Sequence, residues 1–262
     1  MAGETLIPGF RFPETTLSRD PAAQAEALTA CAVDPAAWAG QTEPTLWGND
    51  GFRAMSAAGQ EIDGYIHVEQ RLTLSGGLPL GEAVRFSGET VSNEEVPRGR
   101  RIVQRFEVRR ADRSLAVVSE HIRLLPDLEK MGRKSGPAST PEPVPGTVIA
   151  EKVMQPQDVV TYSKSVGNEI HFDPEFAARY GYRAPLAQGL MTMTWMAAHL
   201  ADRLRAAPMA ILVAQFKRPV FWDDALTLIS ATPADDRQAH LSALNAEGRV
   251  ACDLRMEILA SA

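Results

Sequence analysis

The sequence predicts an α+β protein in which two antiparallel sheet units are joined in one chain. Three observations carry this. Residues 126–148 hold five prolines among small polar residues, with no helical or strand periodicity, and read as an extended linker. Ahead of the linker stand four strand-like segments. Behind it a long apolar helix precedes four more. The division is residues 1–125, the linker 126–148, and residues 149–262.

In the first unit the strand-like segments are DGYIHVEQRLTL, AVRFSGETVS, RRIVQRFEVRR and SLAVVSEHIRLL. Each carries β-branched or aromatic residues partly in alternation, with Gly, Pro, Asn or Asp between segments. Such close spacing suits an antiparallel meander. Residues 21–33 are Ala-rich and suit a helix capped by Ser18 or Asp20. No equally convincing central helix follows, so this half reads as a degenerate second copy, although no internal sequence repeat is visible.

In the second unit the helices come first. Residues 173–180 suit a short helix, with Asp173 at its start and Pro174 at its first position. Residues 185–205 suit a long one, because Leu190, Met193, Ala197, Leu200 and Leu204 recur at intervals of three and four. Ala187, Gly189, Ala197 and Ala198 permit close approach of a sheet. Strands are expected at 210–216, 226–232, 239–245 and 250–259.

Bulk properties narrow the function. The 262 residues are 45% hydrophobic and 23% charged, as in an ordinary globular protein. A formal net charge of -6 argues against nucleic acid as the partner. No basic-then-apolar leader opens the chain, and no run reaches the roughly 18 apolar residues that cross a bilayer. Cys31 and Cys252 lie far apart without metal-type neighbours and read as reduced thiols. The expectation is a cytoplasmic protein without metal or membrane contact.

The densest chemistry lies in YSKSVGNEIHFDPEFAARYGY, residues 162–182, followed by RAPLAQGLMTMTW. This stretch resembles the MaoC-like, R-specific enoyl-CoA hydratase family. Its motif reads Y-A-x-x-S/T-G-D-x-N-P-x-H-x-D-x-x-x-A, with a downstream A-H-G opening the long helix. Tyr162, Gly167, His171, Asp173, Ala177 and Gly189 match it. FKRPVFWDD, residues 216–224, resembles the family's F-x-x-P-V-x-x-G-D strand. His67 and Gln70 in YIHVEQ, with Pro79 and Gly81 in GLPLGEAV, resemble the companion domain of two-part dehydratases. The resemblance implies a double hot-dog fold, each sheet wrapping a helix, with the two sheets paired inside one chain.

It also implies lyase chemistry of fatty acyl metabolism: reversible hydration of an enoyl thioester on coenzyme A or an acyl carrier protein. Coenzyme A or phosphopantetheine then enters as part of the substrate, and no separate cofactor is expected. Histidine has a suitable pKa for moving the protons. A backbone N–H at a buried helix start is a fixed donor for the thioester oxygen as enolate character develops. His171 is thus the general acid/base and Gly189 the oxyanion donor, with Tyr162, Gly167 and Gln188 as substrate-binding candidates. A shortened helix in the other half would leave room for a longer or bulkier acyl group.

The motif departs from the family at the family's aspartate. Gly167 is followed by Asn168, Glu169, Ile170 and His171, so two loop residues and the aspartate are missing. Asn168 can position water but cannot act as a base, and Glu169 is the nearby carboxylate. A-H-G has become Ala187-Gln188-Gly189. Plain readings stay open: His171 as a satisfied core residue, Gly189 as a packing site, Glu169 as a solvated charge, Asp173 as a helix cap. His67, His121, His199 and His240 read as structural. Arg98, Arg100, Arg101, Arg105, Arg109, Arg110 and Arg113 fit either a phosphate or carrier-protein contact or a solvated hairpin. Three alternatives stand beside the hydratase: a hot-dog thioesterase using Glu169 or Asp173, a non-catalytic thioester-binding or partner subunit, and a dehydratase or isomerase for an unusual substrate. A homodimer is compatible with all of them.

Overall fold

A computed structural model describes residues 3–127, 143–231 and 236–259. Ten strands form one antiparallel sheet. In chain order they are β1 (Arg11–Ser18), β2 (Ile66–Leu74), β3 (Ala83–Val96), β4 (Gly99–Arg109), β5 (Leu115–Pro126), β6 (Thr147–Val153), β7 (Ala210–Phe216), β8 (Ala225–Ala231), β9 (Gln238–Asn245) and β10 (Val250–Ile258). Their order across the sheet is β1-β3-β4-β5-β2-β7-β10-β9-β8-β6.

That order contains a duplication the sequence hides. In each half the first strand lies at the outer edge, the second at the centre, and the third to fifth between them. The two second strands meet: β2 pairs antiparallel with β7 from Glu69↔Gln215 to Leu74↔Ala210. The halves are two hot-dog units joined edge to edge, as the resemblance implied. Each carries its principal helix between its first and second strands.

These helices are α2 (Trp47–Ala57) and α5 (Gly189–Ala198); the others are α1 (Pro21–Ala30), α3 (Pro156–Ser163), α4 (Pro174–Arg179) and α6 (Ala201–Ala206). In α5 every residue from Leu190 to Ala197 is buried. A helix apolar all round needs cover all round, and the sheet supplies it. α2 and α5 meet near their starts, where a Cβ on Gly48 would fall 2.8 Å from Leu190 Cδ1.

Several expectations are corrected. The first half does have a central helix, and at 11 residues α2 is no shorter than the 10-residue α5, so the argument for extra room fails. The helix expected over 185–205 is broken: residues 185–188 are extended, α5 ends at Ala198, and α6 starts anew at Ala201. Two edge strands, β1 and β6, went unread, and β6 takes the end of the expected linker. Linker residues 128–142 lie outside the described residues.

The inner faces of the two halves differ in chemistry. In the second, Leu212, Leu228, Leu241, Leu254 and Met256 cover α5 with apolar groups. In the first, Gln70, His121, Gln104 and Thr90 stand in register across β2, β5, β4 and β3, all fully buried. They bond among themselves and to neighbours: Gln70 Nε2 donates to Ser119 at 2.9 Å, and Gln104 Nε2 to Thr90 at 3.0 Å.

Candidate active site

The second half sets its chemistry on one loop and one helix start. After α3 the chain turns at Gly167, whose φ of +79° favours glycine. Asn168 then caps a single 3-10 turn, Glu169–His171, its side-chain oxygen accepting the Ile170 N–H at 3.2 Å. The side chain of Asn168 is thereby used in shaping the loop. Asp173 caps α4 by accepting the Glu175 and Phe176 N–H groups at 2.8 and 3.0 Å.

His171 Nδ1 lies 2.8 Å from the Leu186 carbonyl oxygen. A carbonyl only accepts, so Nδ1 carries the proton and Nε2 keeps its lone pair. Burial lowers the pKa of His171 to about 4 against the opposing bond from Leu186, and the neutral ring prevails near pH 7.

Leu186 lies three residues before Gly189. The segment between is pinned by a Leu186↔Phe221 bridge and by the Ala187 N–H donating to Val220 O at 2.8 Å. Inside α5 the first bonds run from the Met191 and Thr192 N–H groups to Gln188 O, at 3.0 and 3.3 Å. The Gly189 and Leu190 N–H groups therefore have no partner within the helix. Gln188 is only 5% exposed, yet neither Nε2 nor Oε1 of its amide is bonded. Burying such a group unbonded is unfavourable, and a ligand at the helix start would relieve it.

Gly189 has a packing reason to be glycine. A Cβ there would fall 2.8 Å from Phe216 Cδ1. Phe216 in turn faces His67 across the seam, ring centroids 4.8 Å apart. His67 Nε2 is buried and unbonded, and burial lowers its pKa to about 3. The first half thus adds a wall that sequence reasoning had treated as structural.

It also adds a carboxylate that sequence reasoning missed. Asp63 precedes β2, and Gly64 beside it packs near Tyr180 of the second half. Burial first, then the charges of Glu169 and Glu61, raise the Asp63 pKa, and its Oδ1 is unbonded. Nothing in the local sequence of Asp63 marks it. Only the β2–β7 pairing brings it toward the His171 loop.

Tyr162 stands apart from this group. It is buried in α3 and its hydroxyl lies 3.0 Å from Thr194 Oγ1. Thr194 also lies 2.6 Å from Thr45 Oγ1, which donates to Glu43 at 2.6 Å. That polar cluster ties α3 and α5 to the first half. Much of the arginine-rich region is spent on the sheet: Arg105 pairs with Glu120 at 2.9 Å, Arg109 with Glu107 at 2.6 Å, and Arg110 donates to the Ser75 carbonyl at 2.8 Å. Among the described residues no group of three or more His, Cys, Asp or Glu is placed to hold a metal, and no helix is long and apolar enough to cross a membrane.

Residues 137–240 match the family model described as a MaoC like domain. No curated protein sequence matches the chain significantly. Among solved structures, HtdX from Mycobacterium tuberculosis is similar with a TM-score of 0.78 at 20% identity, covering 94% of this chain and 99% of that one. A MaoC-like dehydratase from Phytophthora capsici gives 0.75 at 15% identity, covering 99% of each. An acyl-ACP thioesterase from Bacteroides thetaiotaomicron gives 0.58 at 12% identity, covering 94% and 96%. Residues 137–240 thus match a MaoC like domain, and the chain has the double hot-dog fold of these structures.

Proposed function

We propose that the chain reversibly hydrates an enoyl thioester, carried on coenzyme A or a carrier-protein phosphopantetheine, at one site where His171 meets the start of α5. One observation carries this reading: His171 is tied through Nδ1 to the Leu186 carbonyl, three residues before a helix start whose first N–H groups lack intrahelical partners. The tie leaves Nε2 free as a base beside a donor pair suited to a thioester oxygen.

In the hydration direction, Nε2 takes a proton from water as the water oxygen bonds to the β carbon. The electron pair of the double bond moves toward the thioester, and the Gly189 and Leu190 N–H groups hold the enolate oxygen. The α carbon then takes a proton from an acid, and we assign that acid to Asp63, whose raised pKa keeps more of it protonated. The unbonded Gln188 amide orients the thioester. Dehydration is the same path reversed.

The Asp63 and Glu169 carboxylates also suit water-directed hydrolysis, so the product decides. Mass spectrometry after incubation with crotonyl-CoA is expected to find the thioester gaining one water, with no free coenzyme A. Free coenzyme A with crotonate would replace this reading with a thioesterase. Unchanged crotonyl-CoA and unchanged longer enoyl-CoAs would leave a binder without turnover.

A further inference from the structure

The wall of the site continues from Phe216 through His67 into the first half, where the protein buries a charge it does not neutralise. Arg123 on β5 is 1% exposed. Its Nη2 donates to Gln104 Oε1, and its guanidinium lies 4.6 Å from the centroid of the Tyr65 ring and 6.0 Å from that of Phe52. Nε and Nη1 have no partner, and among the described residues no carboxylate pairs with it. The two neighbouring imidazoles, of His67 and His121, are kept neutral by burial and supply no counter-charge. A buried cation with open donors and no anion is unfavourable for the fold alone.

Its position relative to the site is defined. Arg123 stands opposite His67 in the β2–β5 register. The His67 ring faces Phe216, and Phe216 is the ring on which Gly189 packs. One run of contacts thus leads from Gly189 through Phe216 and His67 to Arg123.

Building on the thioester reading of the Gly189 and His171 site, we propose that Arg123 binds a carboxylate at the far end of the acyl group, so that the substrate is the mono-thioester of a dicarboxylic acid. The polar row beneath α2 agrees with a polar acyl end and not with a long fatty chain. The phosphates of coenzyme A are the other anions available. They lie at the far end of the pantetheine arm, and neutral acyl analogues that carry the same phosphates control for them.

The test measures binding, so it needs no turnover. Calorimetry would compare succinyl-, glutaryl- and adipyl-CoA analogues, with CH2 replacing the thioester sulfur, against neutral acyl analogues of equal carbon number. At least one carboxylate ligand is expected to bind about 100-fold tighter than its neutral partner, the range for a buried charge-assisted pair. Arg123→Met should abolish that preference and leave the neutral ligand within about 3-fold, since it contributes little to that ligand's binding. Should this variant fail to fold, Arg123→Lys keeps the charge, misplaces the donors, and is expected to lose about 10-fold for the carboxylate ligand alone. No preference for any of the three, or equal weakening of both members of a pair, would overturn the proposal. The second result would give Arg123 to coenzyme A or to the fold. A carboxylate preference in a protein that hydrates no enoyl thioester would keep this subsite and discard the hydratase reading; hydration without the preference would do the reverse.

Discussion

Replacing Gly189 with alanine separates packing from catalysis at the helix start. The added Cβ would lie 2.8, 2.9 and 3.0 Å from Cδ1, Cε1 and Cγ of Phe216. Carbon atoms prefer about 3.5–4.0 Å, so the ring or the helix must yield by roughly 0.7 Å. The ring has little freedom, because His67 stands 4.8 Å behind it and is stacked in turn on His121 at 5.5 Å. Overpacking of this kind costs about 1–3 kcal/mol, offset by up to about 1 kcal/mol from alanine's helix preference. The net loss of about 1–2 kcal/mol corresponds to a Tm lower by roughly 2–8 °C in a chain of this size. A helix start displaced on that scale should also lower kcat/KM for the enoyl thioester about 100-fold. Thermal unfolding and the hydration assay read both numbers. Adding Phe216→Leu should return most of the lost stability. A Gly189→Ala protein as stable and as active as wild type would refute both the packing and the positioning arguments.

Other outcomes follow from the same geometry. With the His171 pKa near 4 and the neutral ring as base, the acid limb of kcat/KM should fall near pH 4, well below the ordinary histidine value; a limb near 6.5 would contradict the part-buried, Leu186-bonded ring. Burial raises the Glu43 pKa to about 7 from 4.5, so the folded state holds that proton longer than the unfolded state does. Its contribution is complete below pH 4.5 and lost as pH rises to 7, about 3 kcal/mol in all. Glu43→Gln should remove this slope, seen as the difference between the two proteins' stability curves across that window; parallel curves would refute it. Gln188→Leu removes a buried unbonded amide and should stabilise the free protein by about 1 kcal/mol while lowering kcat/KM 10- to 100-fold. Reduced stability with unchanged activity would show that the amide serves the fold.

What the sequence made legible were elements whose pattern matches their final burial. β7 falls on the expected residues 210–216 because alternation there coincides with one buried face; β10, within one residue of expectation, is a largely apolar strand buried on both faces over 251–254. The helix α2 was hidden because WGNDGFRAMSA contains Gly48, Asn49, Asp50 and Gly51, all poor helix formers. A tertiary ion pair of Asp50 with Arg19, and an i,i+3 pair with Arg53 inside the helix, hold it instead. β1 was hidden by Pro13 and by exposure: Phe12 alone is buried in it, and the register shifts between Phe12 and Thr15. At the site, the His171 loop and the Gly189 helix start were readable because they form one local motif. Asp63, His67 and Arg123 were not, since only the pairing of β2 with β7 sets them beside the other half.

The central claim is that His171 moves the proton at a thioester held by the start of α5. It is tested most directly by following the enoyl-thioester absorbance with wild-type protein and His171→Ala side by side, using both crotonyl-CoA and a carboxylate-terminated enoyl-CoA. The account predicts loss of the band with wild type and a rate at least about 1000-fold lower with the variant, as removal of an essential base requires. Equal rates for the two proteins would contradict it and move the chemistry away from His171.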